Sequence, residues 1–239
     1  MKKQHDCIAR NFGARKLMNG IRFGKFFGIA LELHITFIML IAGLLILMAI
    51  LEPQNLIPYA LMLFFLFTSV FIHELFHSVT SVLLGIKVEK IILLPIGGIS
   101  VAKKMPEQAY KEFLIAIAGP FFNFLMIAII AGIVYFNPEL FPSIEMISNP
   151  DTFNNTILQF PLFSLFWVNL ILGVFNLFVP ALPLDGGRVL RSILAMKFGF
   201  NKATHLASKI STIISVVLGF IGLLGGNFLL IIVAGFVYL

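Results

Sequence analysis

His73, Glu74 and His77 lie within five residues of one another in the run Phe71-Ile72-His73-Glu74-Leu75-Phe76-His77, inside a stretch otherwise made of apolar side chains. On a helix, His73 and His77 are i and i+4, so both imidazoles leave one face at a separation suited to a single metal ion. Glu74 lies ~100° further round, near enough to exchange a proton with a water beside that ion without being a ligand. This is the HExxH pattern of zinc hydrolases. The plainer alternative, two histidines bonded to a neighbouring helix with Glu74 neutral, needs polar partners that an apolar surround does not offer. Catalytic zinc usually takes three protein ligands, so a third must come from elsewhere in the chain.

Most acidic residues read as solvated or interfacial. Glu89, Glu107 and Glu112 lie in or beside a basic loop, Glu52, Glu139, Glu145 and Asp151 in acidic turns, and Glu32 with His34 at the start of the first apolar run. Asp185 differs, because it follows Pro180 and Pro183 and precedes Gly186-Gly187-Arg188. The prolines break a helix just before it, and the glycines permit an unusual turn that aims its carboxylate inward. Taken alone, Asp185 reads as an Asx turn or N-cap of a helix starting near Arg188. Irregular backbone at membrane depth is tolerated only where it is buried or lines a cavity, which favours the ligand reading.

These side chains belong to a chain of 239 residues, 59% apolar and only 12% charged, with 27 Phe and a mean hydropathy of +1.02. That leaves too little polar surface for a water-soluble globule and excludes a disordered chain or a disulfide scaffold. Cys7 has no second cysteine to pair with. All 17 Lys and Arg fall in three clusters, seven in Lys2 to Lys25, five in Lys87 to Lys111 and five in Arg188 to Lys209. Basic loops stay cytoplasmic, so each gap between clusters crosses the membrane an even number of times.

The expected architecture is an all-α polytopic membrane protein with six transmembrane helices at about 29–51, 56–84, 113–136, 160–179, 203–224 and 228–239. Residues 1–28 form a basic cytoplasmic segment and residues 29–239 the six-helix core, with the N-terminus cytoplasmic and the chain multi-pass in the cell membrane. The basic residues from Lys2 to Lys25 set topology and touch anionic lipid rather than nucleic acid. His77 stands eight residues before Gly85, placing the metal roughly 12 to 15 Å below the cytoplasmic surface. The last apolar run, Phe228 to Leu239, covers only ~18 Å and reads as a span cut short. Val88 to Val101, with Pro95 and the Gly97-Gly98 pair, reads as a small strand and re-entrant segment after the second helix.

With those motifs in place, the chain resembles the site-2 proteases, intramembrane zinc metalloproteases, and looks closest to archaeal members that lack a PDZ domain. The likeness runs from Leu31-Glu32-Leu33-His34 through His73 to His77, Leu94-Pro95-Ile96-Gly97-Gly98, Ala118-Gly119-Pro120-Phe121-Phe122-Asn123 and Pro183-Leu184-Asp185-Gly186-Gly187-Arg188. The resemblance implies one Zn2+ per chain on His73, His77 and Asp185, Glu74 as catalytic acid/base, and a transmembrane protein as substrate. It gives Asn176 an active-site hydrogen-bonding role, and Pro95, Gly97 and Gly98 a role in holding an extended substrate by strand addition. Many relatives without a PDZ domain carry a pair of CBS domains after the last helix, so such a pair is the expected continuation beyond Leu239.

Two departures stand out. Phe76 occupies a position where the family usually has Gly, and three residues rather than two separate Asn176 from Pro180, with Asn169 as a weaker substitute for Asn176 or a residue of interhelical packing. A zinc- or proton-coupled transporter, or a catalytically silent relative, would also bury two His and an Asp beside a broken helix. Glu74 in the HExxH position favours the protease, since a carrier needs no general base there.

Overall fold

A computed structural model describes residues 20–26, 28–95, 97–102 and 108–238 of the chain. Glu107 and residues 1–19 of the basic leading segment lie outside the described residues. The elements run β1 (Ile21–Phe26), β2 (Ile29–Leu33), α1 (Ile35–Leu51), α2 (Leu56–Leu83), β3 (Val88–Leu94), β4 (Gly97–Ala102), α3 (Ala109–Phe136), α4 (Ile144–Ser148), α5 (Pro150–Gln159), α6 (Pro161–Phe178), α7 (Asp185–Phe198), α8 (Phe200–Leu224) and α9 (Phe228–Tyr238). The helices of α2, α3, α6 and α8 are long and apolar enough to cross a membrane, while α1 is apolar but only 17 residues long.

The first expected span is corrected at its start. Ile29–Leu33 is a strand, and the helix begins only at Ile35. His34 separates the two: its backbone is extended and its Nδ1 accepts the Thr36 amide at 3.3 Å, capping α1. Strand β2 pairs antiparallel with β1 and parallel with β3, and β3 pairs antiparallel with β4. The result is a four-stranded sheet in the order β1-β2-β3-β4, larger than the segment expected after the second helix.

Glu32 tolerates burial in that sheet because Lys90 Nζ, on the neighbouring strand, donates to it at 2.6 Å and Arg22 Nε lies at 3.7 Å. It is buried and paired rather than solvated. The sheet's apolar side, Ile29, Leu31, Ile91 and Leu93, packs with Phe37 against Phe67, Phe71 and Leu75 of α2. The polar stretch between the third and fourth spans is not an open loop but two short helices, with Ser143 capping α4 and Asn149 capping α5. Ring contacts among Phe153, Phe163 and Trp167 hold α5 on α6.

Candidate active site

Helix α2 carries the two histidines on one face, and both are buried. Their orientation is set from α3. His73 Nδ1 donates to Asn123 Oδ1 at 2.6 Å, and His77 Nδ1 donates to the backbone carbonyl of Ile115 at 2.6 Å. Pro120 sits in that stretch of α3 and has no N–H for the Ala116 carbonyl. Asn123 is oriented in turn, since its Nδ2 donates to Asn169 Oδ1 of α6 at 2.9 Å, and Asn169 Nδ2 donates to Ser69 Oγ at 3.1 Å and Leu165 O at 2.9 Å. Each imidazole therefore keeps its hydrogen on Nδ1 and turns a bare Nε2 inward, the arrangement that metal-binding histidines use.

Asp185 completes the group. It is the first residue of α7, buried, where the helix N-terminus favours its negative charge. Its Oδ2 lies 3.0 Å from His73 Nε2 and 3.1 Å from His77 Nε2, and the two Nε2 atoms are 3.1 Å apart. With both ring hydrogens committed elsewhere, three lone-pair atoms face one another, and a shared cation is what relieves them. Atoms at this spacing have a common point ~2.1 Å from each, which is the length of a zinc–nitrogen bond. The residues fit such an ion. Gly119 leaves the space beside it open, because a Cβ there would overlap both Nε2 atoms.

The glycines after Asp185 correct the expectation of an unusual turn. Gly186 and Gly187 are helical, and their lack of a side chain serves close approach: a Cβ on Gly186 would overlap the Leu177 and Val179 carbonyls, and one on Gly187 the backbone at Ala181 and Leu182. Ser211 of α8 pins the proline-rich bend itself by accepting the Leu182 amide at 2.7 Å. The helix starts at Asp185 rather than near Arg188, and Arg188 Nη1 lies 3.8 Å from Asp185 Oδ1.

Glu74 offers a carboxylate oxygen within 4.8 Å of ligand atoms of His73 and His77. Strand β4 lies directly against it, since a Cβ on Gly98 would overlap Glu74 Cγ. Ser78 Oγ and Ser100 Oγ, 3.0 Å apart, fasten the same strand to α2. Gly97 opens β4 with a positive φ of 140°, and Pro95 is exposed in the turn before it. Asn176 is half-buried and takes no part in the chain of bonds from Asn169 to His73. Phe76 packs on Phe122 of α3, ring centroids 5.1 Å apart.

Three residues escaped the sequence reading. Asn123 was visible within a motif but without a role, Asn169 read as interhelical packing or a substitute for Asn176, and Glu112 read as solvated although it is 1% exposed and bound to Arg191. The signal that exposed His73, a polar side chain deep in an apolar span, was present for both asparagines.

The sequence model of peptidase family M50 matches residues 61–218. The chain belongs to that family. A zinc metalloprotease of Methanocaldococcus jannaschii is 40% identical over 218 residues, covering 91% of this chain and 58% of the relative. Stage IV sporulation protein FB of Bacillus subtilis is 31% identical over 157 residues, covering 63% of this chain and 46% of that protein. The solved structure of a site-2 protease from M. jannaschii superposes with a TM-score of 0.66 at 39% identity, covering 92% of each chain. This M50 chain thus spans about half to three fifths of the length of these two curated relatives.

Proposed function

We propose that this M50 chain is the core of an intramembrane zinc metalloprotease that hydrolyses a peptide bond within or near a transmembrane segment of a membrane-protein substrate. The observation that carries the reading is the meeting of His73 Nε2, His77 Nε2 and Asp185 Oδ2 with both Nδ1 hydrogens already committed. These three residues would hold one Zn2+. When bound, the ion polarises a carbonyl and brings the pKa of a water towards neutrality.

The remaining work falls to the chain. Glu74 accepts the proton of the attacking water and returns it to the departing amine. Asn123 and Ile115 keep the imidazoles in the tautomer that leaves Nε2 free. Strand β4 ends the sheet, and no further strand pairs with it among the described residues. An unwound substrate segment added along β4 exchanges its helical hydrogen bonds for ladder bonds, with Gly98 holding the approach close over Glu74. Gly97 and Pro95 shape the turn that presents this edge.

The distribution of Lys and Arg supports six crossings with a cytoplasmic N-terminus and the site nearer the cytoplasmic face. In this reading α1, with 17 residues, is a shorter crossing, and the 11 residues of α9, ~17 Å long, reach only part of the way. The test is Glu74→Gln in reconstituted protein with a helical membrane substrate: cleavage falls about 10²- to 10⁴-fold while bound metal is unchanged. Cleavage at the wild-type rate in a Glu74→Gln preparation rejects the assignment.

A further inference from the structure

Glu112 is among the most deeply buried of the described residues, and among them its hydrogen bonds go to neither histidine nor Asp185 but to Arg191. Its Oε1 accepts from Nε of Arg191 at 3.0 Å and also from Nη2 of the same guanidinium. Its Oε2 is buried and has no hydrogen-bond partner among the described residues. Among the described residues Arg191 is the side chain that bonds this carboxylate, which also stands in the first turn of α3, where the helix N-terminus favours negative charge.

The location of the pair within its helices gives it a consequence for the metal site. On α3, Glu112, Gly119 and Asn123 are spaced by seven and four residues, so they fall within ~40° of one face. That face borders both imidazoles through Gly119 and Asn123. On α7, Asp185 and Arg191 are six residues apart, ~9 Å along the axis and ~120° round it, a turn that the long Arg191 side chain bridges to reach Glu112; on α3, Glu112 and Gly119 are seven apart, ~10 Å. The two helices therefore meet at two points of matching spacing, the metal site at one end and the ion pair at the other.

We propose that Glu112 and Arg191 form a positioning clamp that fixes the rotation and axial placement of α7, and so holds the Asp185 carboxylate against the two Nε2 atoms. Asp185 follows a proline-containing bend, and among the described residues the clamp is the side-chain hydrogen bond that ties α7 to α3. Sliding or turning α7 far enough to withdraw Asp185 removes the guanidinium from a buried charge with no other side-chain partner among the described residues, which is strongly unfavourable. The clamp acts through Asp185 and has no contact with the reacting atoms. It rests on the metal reading of the site given above.

The test is Co2+ titration of the metal-stripped chain in detergent, following affinity and the visible ligand-field spectrum. The comparison covers wild type, Asp185→Asn, Glu112→Gln, Arg191→Lys and Glu32→Gln, with thermal unfolding measured in parallel. Arg191→Lys keeps the charge balance but loses the two-nitrogen fork, so it reports on positioning even if Glu112→Gln fails to fold. Glu32→Gln breaks a buried ion pair within the sheet and controls for general loosening. Glu112→Gln and Arg191→Lys are expected to weaken Co2+ binding about 10- to 100-fold, with spectra displaced toward that of Asp185→Asn, while Glu32→Gln binds as wild type does.

Wild-type affinity and spectrum in a folded Arg191→Lys chain would overturn the clamp while leaving the metal site standing. So would a loss in Glu32→Gln equal to that in the clamp variants. Failure of wild type itself to bind, or binding unaffected in Asp185→Asn, overturns the site reading and the clamp with it.

Discussion

Helix α2 presents two stripes to two different parts of the molecule. Ser69, His73 and His77 turn a polar line toward α3, α6 and α7, and each is tied by directional bonds, Ser69 to Asn169, His73 to Asn123, His77 to the Ile115 carbonyl. Phe67, Phe71 and Leu75 turn an apolar line toward β2 and β3, where contact is made with Ile29, Leu31, Ile91 and Leu93. The first face depends on angles and on which atom carries a hydrogen; the second depends on filled volume. A substitution should therefore damage function on one side and stability on the other.

The largest effect is expected where no atom can be added. Gly119→Ala puts a methyl group onto both Nε2 atoms, so the folded variant is expected to purify without stoichiometric metal and without cleavage. Metal analysis of that preparation checks it, and a full complement would mean the polar face yields more than its geometry allows. Next comes Asn123→Ala, which leaves the His73 Nδ1 hydrogen without its acceptor. Metal affinity is expected to fall about 10- to 100-fold, measurable by competition with a chromophoric chelator. Smallest is Ile91→Val on the apolar face, at a residue 1% exposed. Its expected cost is about 0.5–1.5 kcal/mol of stability, read from thermal unfolding, with metal affinity equal to wild type. A change in metal affinity there would show that the two faces are coupled rather than separate.

The contrast also explains what the sequence made legible. Ionisable groups inside an apolar span are costly, so His73, Glu74 and His77 announced themselves, and Asp185 followed from the broken helix around it. The sheet was hidden because Ile29–Leu33 is apolar apart from Glu32 and runs almost directly into the apolar α1, and hydrophobicity alone does not divide a strand from a helix start. Only His34, acting as a cap, marks the division. Glu32 looked exposed because its partner Lys90 lies 58 residues on, and pairing between distant strands leaves no local trace. Gly186 and Gly187 were recognised as needed, but for backbone freedom; the structure gives steric clearance as the reason. Asn123 and Asn169 were legible by the same cost argument as the histidines. Neither is tied to His73 by the sequence, because a single amide in a span also serves ordinary helix contact.

The central claim is that Asp185 shares one ion with His73 and His77, and bound-metal analysis of purified wild type against Asp185→Ala tests it most directly. One metal per chain in wild type and well below one in a variant that remains folded is the predicted result. Equal stoichiometry in the two preparations would contradict it.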